Sequence, residues 1–232
     1  MEDIKIAGVH TIKHWKELDS ILDTNDNKNW ALAFSFFEER IETRYLKPIE
    51  AILNLGNNNG EGFAVVNLQC SLIETIESFI NGWVYNATKT VDKQGNTWYS
   101  GDKIAEYKKD KDLKNLNIFE SFFDNREPFK IIFEKNNLKG NDFYWNVRCG
   151  LLHETQTKNG WKIKVSKKNN EESITDNKTI YRENFQRDIK KVIENYKSAI
   201  VNGEVLNGIE SNNLRQNFRD KFNHICEESK EK

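Results

Sequence analysis

The sequence predicts a mainly α-helical fold, a helical bundle that carries one small β-hairpin. Apolar residues recur every three to four positions over several long stretches, which is the period of an amphipathic helix. Only 2 of the 232 residues are proline, so few helices should be interrupted. Strict alternation of apolar and polar residues is confined to a short stretch within residues 161–181. We expect a single domain over residues 1–232, with its core over about 30–202 and a C-terminal helix over 211–227.

The composition is that of a globular protein of ordinary size and balanced charge. Hydrophobic residues make up 37% and charged residues 31%, and the net charge is -1, so no global field draws the chain to nucleic acid or to a membrane. The first ten residues lack the pattern of a signal peptide, and no apolar run approaches the roughly 20 residues of a membrane span. The 3 cysteines lack zinc-ligand spacing. We expect a cytoplasmic protein with reduced thiols that needs no metal or other cofactor.

Two helical segments are predicted near the N-terminus. Residues 11–22 form a short helix candidate. Residues 30–53 read as a long helix with an apolar stripe, and Pro48 within it should kink it or divide it in two. The charged residues on its opposite side most simply form a solvated face.

Residues 62–81 form the strongest helix candidate, which Gly82 should end. Apolar residues cover most of its circumference, so it should be central. A narrow polar row recurs at four- and three-residue spacing and should face solvent or a cleft; it consists of Asn67, Ser71, Glu74, Ser78 and Asn81.

The middle of the chain is less regular. Residues 85–102 read as a loop that contains a possible hairpin around residues 94–96, and 108–114 as a solvated charged stretch. A helix is expected over residues 113–124, while the apolar run 129–133 is too short to assign to helix or strand.

The last third begins with the predicted hairpin. Residues 161–165 and 173–181 supply its two strands, and the segment is the most basic in the chain, with Lys158, Lys162 and Lys164. Those lysines either are simply solvated or form an arm that contacts phosphates. A helix over residues 183–201 should end at Gly203, and Ser211 can cap the last helix.

Residues 142–161, DFYWNVRCGLLHETQTKNGW, set two strongly polar side chains into an apolar helix near its end. These are Arg148 and His153, and the helix should fail soon after His153 in a polar turn. Burying an arginine costs several kcal/mol unless it is paired, so Arg148 requires a partner or a function. If this helix packs on the polar row of residues 62–81, Glu74 is the candidate partner.

An arginine, four to six residues and then a histidine late in an apolar helix resembles the motif of the HEPN superfamily. The resemblance is strongest over residues 142–161 and extends more weakly to residues 62–83, which look like the partner helix of the HEPN core. It implies a small α-helical domain, often dimeric, that in many members is a metal-independent ribonuclease. Arg148 and His153 would then be its catalytic residues.

The motif's spacing bears on how it would work. Five residues place Arg148 and His153 about 140° apart on an ideal helix, so they do not share one face. In HEPN proteins motifs from two chains meet across a two-fold axis, which implies a homodimer with this helix at the interface. Histidine suits the removal of a 2′-hydroxyl proton, and arginine suits the charge that develops on the phosphate.

The resemblance has one departure, which leaves two functions open. Catalytic HEPN proteins commonly carry Asn, Asp or His after the arginine, and here that residue is Cys149. The first function is cleavage of single-stranded RNA, with Glu74, Cys149 and Glu154 in supporting roles. Such a nuclease would be either a toxin that a cognate antitoxin inhibits or an antiviral effector. The alternative is a non-catalytic dimerisation or RNA-binding module, in which Arg148 pairs with a buried carboxylate and His153 interacts with its helix terminus.

Overall fold

The computed structural model describes residues 4–56, 59–91, 97–106, 118–165 and 172–229. It confirms the mainly α-helical prediction, because helices predominate and two-stranded pairs are the only sheets among these residues. The α-helices are α1 (Ile12–Asp19), α2 (Trp30–Ile41), α3 (Lys47–Leu53), α4 (Glu61–Asn81), α5 (Ile118–Asn125), α6 (Phe129–Lys135), α7 (Gly140–Phe143), α8 (Cys149–Glu154), α9 (Arg182–Asn202) and α10 (Ser211–Glu228). The strands are β1 (Lys5–Ala7), β2 (His10–Thr11), β3 (Trp83–Val91), β4 (Thr97–Glu106), β5 (Lys162–Lys164) and β6 (Thr179–Tyr181).

One hydrophobic cluster joins both ends of the described chain. It includes Ile6 near the start and Cys226 near the end. The indole of Trp15 on α1 stacks on Phe222 of α10 with ring centroids 4.4 Å apart. The predicted core limits of 30–202 are therefore too narrow, because the first and last helices bury their aromatic rings in the same core.

Helix α4 is the centre of this core and packs against α3, α5, α9 and α10. Among the described residues it is the one helix long and apolar enough, by length and composition, to cross a membrane. The sequence expectation concerned uninterrupted apolar runs, whereas α4 reaches this length with scattered polar residues. Most of α4 is buried by its neighbours, including Ile73, Ile76 and Ile80.

Two single π-turns interrupt the helices around α4. The first, Glu42–Leu46, joins α2 to α3, and the second, Tyr144–Arg148, joins α7 to α8. Pro48 lies in the first turn of α3, where its missing N–H removes no helical hydrogen bond. The predicted division of the long helix near Pro48 is thus confirmed, with the π-turn immediately before it. Such turns occur frequently at functional sites.

The predicted hairpin over residues 161–181 is wrong, because β5 and β6 pair in parallel. The chain first makes a tight turn of its own, in which Ile174 pairs with Ile180 antiparallel and Thr175 N–H donates to the Thr179 carbonyl. That reversal brings β6 alongside β5 in the same direction. The long antiparallel hairpin is instead β3–β4, whose strands flank residues 94–96, where the sequence suggested a possible hairpin within a loop.

The remaining boundaries follow the sequence closely. Gly82 and Gly203 end α4 and α9 in the left-handed conformation, as predicted. The short apolar run at 129–133 is part of helix α6. Ser211 is the first residue of α10 rather than its cap, which is Glu210. The charged stretch 108–114 and the proposed turn at 94–96 lie outside the described residues.

Candidate functional site

Arg148 lies at the end of the second π-turn and reaches across to α4. Its Nε donates to Oε1 of Glu74 at 2.9 Å, and the two side chains are 19% and 18% exposed. Burial by itself would lower the pKa of this guanidinium, but the adjacent Glu74 carboxylate outweighs it and raises the pKa above its ordinary value. The pairing that the sequence suggested is present, and it keeps Arg148 charged and oriented.

Tyr144 and Cys149 complete the surroundings of Arg148. The guanidinium lies over the Tyr144 ring, 5.9 Å from its centroid. Burial and a hydrogen bond with Cys149 raise the pKa of Tyr144 to about 12, so its phenol is neutral near physiological pH. Sequence reasoning missed Tyr144. The five-residue spacing of Tyr144 and Cys149 matches the hydrogen-bond step of the π-turn, which no α-helical period reveals.

His153 lies in the last turn of α8 with its side chain exposed to solvent. Among the described residues it makes no hydrogen bond, ion pair or ring contact, with Arg148 or with any other group. Thr155, in the left-handed conformation, ends the helix where the sequence predicted. One copy of the chain therefore presents Arg148 and His153 separately.

The other predicted site residues lie in two places, the end of α8 with the turn after it, and strand β5. Glu154 forms an ion pair with Lys158, so the carboxylate is not turned toward Arg148 and the lysine charge is partly neutralised. The RNA-binding role of Lys158 and the supporting role of Glu154 stay predictions. Lys162 and Lys164 are both exposed on β5.

The polar turn that follows the motif is folded back on its own helix. Asn146 is central, because its Oδ1 accepts from Asn159 Nδ2 at 2.7 Å and its carbonyl accepts from Lys158 N–H at 2.9 Å. Asp142 accepts from the Trp161 indole N–H at 2.9 Å. The sequence identified the turn but not these two anchors, which hold the end of α8 and hence the backbone of His153 in place.

A stripe of exposed apolar side chains runs beside Arg148. Trp145 is 59% exposed and Leu152 is 49% exposed, and seven residues separate them, so they lie on one helix face. Cys149, between them in the sequence, is partly exposed. The expectation that this helix is mostly buried holds for Phe143 and Val147 but not for this stripe.

The polar row of α4 faces a cleft, which was one of the two alternatives that the sequence predicted. Ser71, Glu74 and Ser78 line a cavity of about 460 Å³ that lies between α4, the first π-turn and α10. Glu74 thus faces this cavity and also bonds to Arg148.

The Arg148–Glu74 pair is only partly buried, so its loss should cost less than that of a fully buried pair. We expect Arg148→Ala to lower the free energy of unfolding by about 1–3 kcal/mol, the range for a hydrogen bond to a charged group. Urea unfolding would measure this. A loss well above that range would mean that the pair chiefly holds the fold, whereas no loss would mean that the ion pair is not formed in solution.

Within the described part of the chain, no three His, Cys, Asp or Glu side chains are grouped so that they could hold a metal ion. Comparisons of the chain with protein-family models, with curated proteins and with solved structures each give no match. The resemblance to the HEPN superfamily therefore rests on the residues of this chain, chiefly Arg148, His153 and the helix that carries them.

Proposed function

We propose that this protein is a metal-independent endoribonuclease that cleaves single-stranded RNA at a site formed between two copies of the chain. The observation that carries the proposal is the arrangement along the second π-turn and α8. Arg148 is charged and held by Glu74, His153 is exposed at the helix end, and Trp145 and Leu152 leave exposed apolar side chains on the same segment. A two-fold contact through that stripe would bring the arginine of one copy toward the histidine of the other.

The proposed chemistry uses the RNA's own 2′-hydroxyl as nucleophile. A neutral His153 removes its proton, and the 2′-oxygen forms a bond to the adjacent phosphorus while the bond to the 5′-oxygen breaks. Arg148 stabilises the charge on the non-bridging phosphate oxygens in the transition state. The departing 5′-oxygen takes a proton from water, and the His153 imidazolium returns the proton it accepted to solvent, so that one arginine and one histidine complete each site. The products are a 2′,3′-cyclic phosphate and a 5′-hydroxyl.

We expect the purified protein to cleave single-stranded RNA in the presence of EDTA, because neither proton transfer nor charge stabilisation requires a metal here. Gel analysis with chemical identification of the ends would show the cyclic phosphate and the 5′-hydroxyl. Loss of cleavage in EDTA, or products with 5′-phosphate ends, would contradict the mechanism.

We also expect a homodimer at micromolar concentration, held by the exposed apolar stripe of Trp145 and Leu152. Trp145→Asp should shift the protein to monomer, because a carboxylate would be buried at the centre of the contact. Sedimentation velocity would show the change. Ile131 on α6 is 60% exposed and provides the matched control, since Ile131→Asp should leave the dimer intact. A parent protein that sediments as a monomer would count against the shared site.

The alternative function is a non-catalytic dimerisation or RNA-binding module. The engagement of Arg148 by Glu74, together with Cys149 where catalytic HEPN proteins commonly carry Asn, Asp or His, favours it. RNA that binds the dimer and remains intact would decide for this alternative. In either case we propose a cytoplasmic setting, with RNA as the partner of the site. If the nuclease is a toxin, we propose a cognate antitoxin as a second partner. The other biological role we propose for the nuclease is that of an antiviral effector.

A further inference from the structure

The cavity beside Glu74 collects basic side chains from two regions that are far apart in the sequence. Arg40 from α2 and Arg44 from the first π-turn line one wall, and Lys221 and His224 from α10 line another. The floor is α4, which contributes the hydroxyls of Ser71, Thr75 and Ser78. The volume of about 460 Å³ is that of a small-molecule site.

The three cationic side chains Arg40, Arg44 and Lys221 are anchored but not neutralised. Arg40 and Arg44 both donate to the Ile6 carbonyl, and Lys221 Nζ donates to the Trp83 carbonyl at 2.6 Å. No carboxylate among the described residues lies within ion-pair distance of Arg40, Arg44 or Lys221. Backbone carbonyls fix the orientation of these groups but carry no net charge, so the cavity keeps a net positive charge.

The acidic residues that line the same cavity do not offset that charge. Glu74 is engaged by Arg148, and Glu228 is exposed at the end of α10. With Glu74 balanced by Arg148, three cationic side chains face one exposed carboxylate. An ammonium or guanidinium left without a counter-charge in a partly buried site is costly, and an anion would offset the cost.

The acid–base behaviour of the lining residues agrees with this geometry. Burial and the nearby Arg40 lower the pKa of Lys221 to about 8. Burial, followed by the repulsion of Arg44, lowers the pKa of Arg40 to about 10. Burial and the nearby Lys221 likewise lower the pKa of His224. Burial is the larger cause of each shift, and repulsion by a neighbouring positive charge adds to it.

We propose that this cavity binds the phosphate monoester group of a small metabolite of up to nucleotide size. A phosphate monoester carries close to two negative charges above neutral pH, which matches the excess charge of the cavity. Its oxygens accept from guanidinium, ammonium and hydroxyl donors, all of which are present on the walls and floor. The neutral part of the ligand would lie toward Tyr45 and Ile225, on the remaining wall.

This inference does not depend on RNA cleavage, although Glu74 connects the two sites. An anion bound in the cavity would lie next to the carboxylate that holds Arg148.

Isothermal titration calorimetry at low salt with adenosine 5′-monophosphate, inorganic phosphate and adenosine tests the proposal. We expect the monophosphate and phosphate to bind and adenosine not to bind. Arg44→Gln should weaken binding by about 10-fold, the loss of one charge-assisted contact of about 1.4 kcal/mol. Arg44 is exposed, so this variant should fold normally. Lys47→Gln is the control, because Lys47 is exposed close by in α3 but does not line the cavity.

Two further measurements separate the possible sources of the phosphate and check the role of Lys221. A 5′-phosphorylated oligoribonucleotide that binds more tightly than both its 5′-hydroxyl counterpart and the mononucleotide would assign the cavity to RNA ends and overturn the metabolite proposal. Binding should weaken as pH rises through about 8, because Lys221 loses its proton there while the phosphate charge stays constant. Equal affinity of Arg44→Gln and Lys47→Gln, binding of adenosine, or affinity that is constant across that pH range would each overturn the proposal.

Discussion

Replacing His153 by alanine should slow RNA cleavage by about 10²-fold or more, since a positioned general base contributes at least that factor. The side chain is exposed and makes no hydrogen bond or ion pair in the described structure, so its removal should leave the fold and the dimer unchanged. Arg148→Ala should lose a similar factor through the transition-state charge. Its folding cost is larger, because Glu74 loses its partner.

Single-turnover cleavage of a short RNA would measure both effects, with sedimentation as the check on assembly. His14→Ala controls for contaminating nucleases, because His14 is an exposed histidine on α1. A mixture of His153→Ala and Arg148→Ala chains should regain part of the activity if the site is shared, since half of the composite sites in each heterodimer then keep both groups. Undiminished cleavage by His153→Ala would sink the mechanism.

Arg126→Ala should lower the free energy of unfolding by about 3–5 kcal/mol, because it leaves a buried carboxylate without its partner. Arg126 donates to both oxygens of Glu77, through Nε at 2.8 Å and Nη2 at 2.9 Å. The two side chains are 3% and 0% exposed. Ser121 and Asn81 also donate to the Glu77 carboxylate. The network ties α5 to α4, the central helix.

Urea unfolding of the variant, read by tryptophan fluorescence and by circular dichroism, would measure this loss. The matched control is Lys197→Ala, which removes an ion pair with Glu38. The two side chains are 48% and 42% exposed, so this substitution should change the free energy of unfolding by about 1 kcal/mol or less. The double variant Arg126→Met with Glu77→Gln should recover part of the loss, since no buried charge remains. Equal effects of Arg126→Ala and Lys197→Ala would contradict the burial of the Glu77 network.

The two arginine–glutamate pairs show which contacts could be predicted from the sequence and which could not. Glu74 belongs to a polar row on an apolar helix and Arg148 stands alone in another, so their pairing could be predicted. Glu77 lies outside that row, and Arg126 is in a polar segment that reads as a loop, so nothing local links them. Pairing between residues that far apart depends on how α4 and α5 pack, which helical periodicity does not specify.

The strands show the same limit for backbone structure. Alternation of residue types located β5 and β6 but could not give their relative direction, which depends on the turn at residues 175–178. Likewise Pro48 indicated where a helix divides, whereas the π-turns carry no marker of their own. The site residue missed for that reason is Tyr144, which the second π-turn places against Cys149 and Arg148.

The two π-turns also make chain length matter at two particular places. A π-turn holds one residue more than the α-helical turn it replaces. Losing one residue from Tyr144–Arg148 could leave an unbroken α-helix that still covers the core, yet the part after the deletion would be rotated relative to α4. Insertion and deletion at this turn can thus create or abolish the Arg148–Glu74 contact while keeping every helix, a change that substitution of single side chains does not offer.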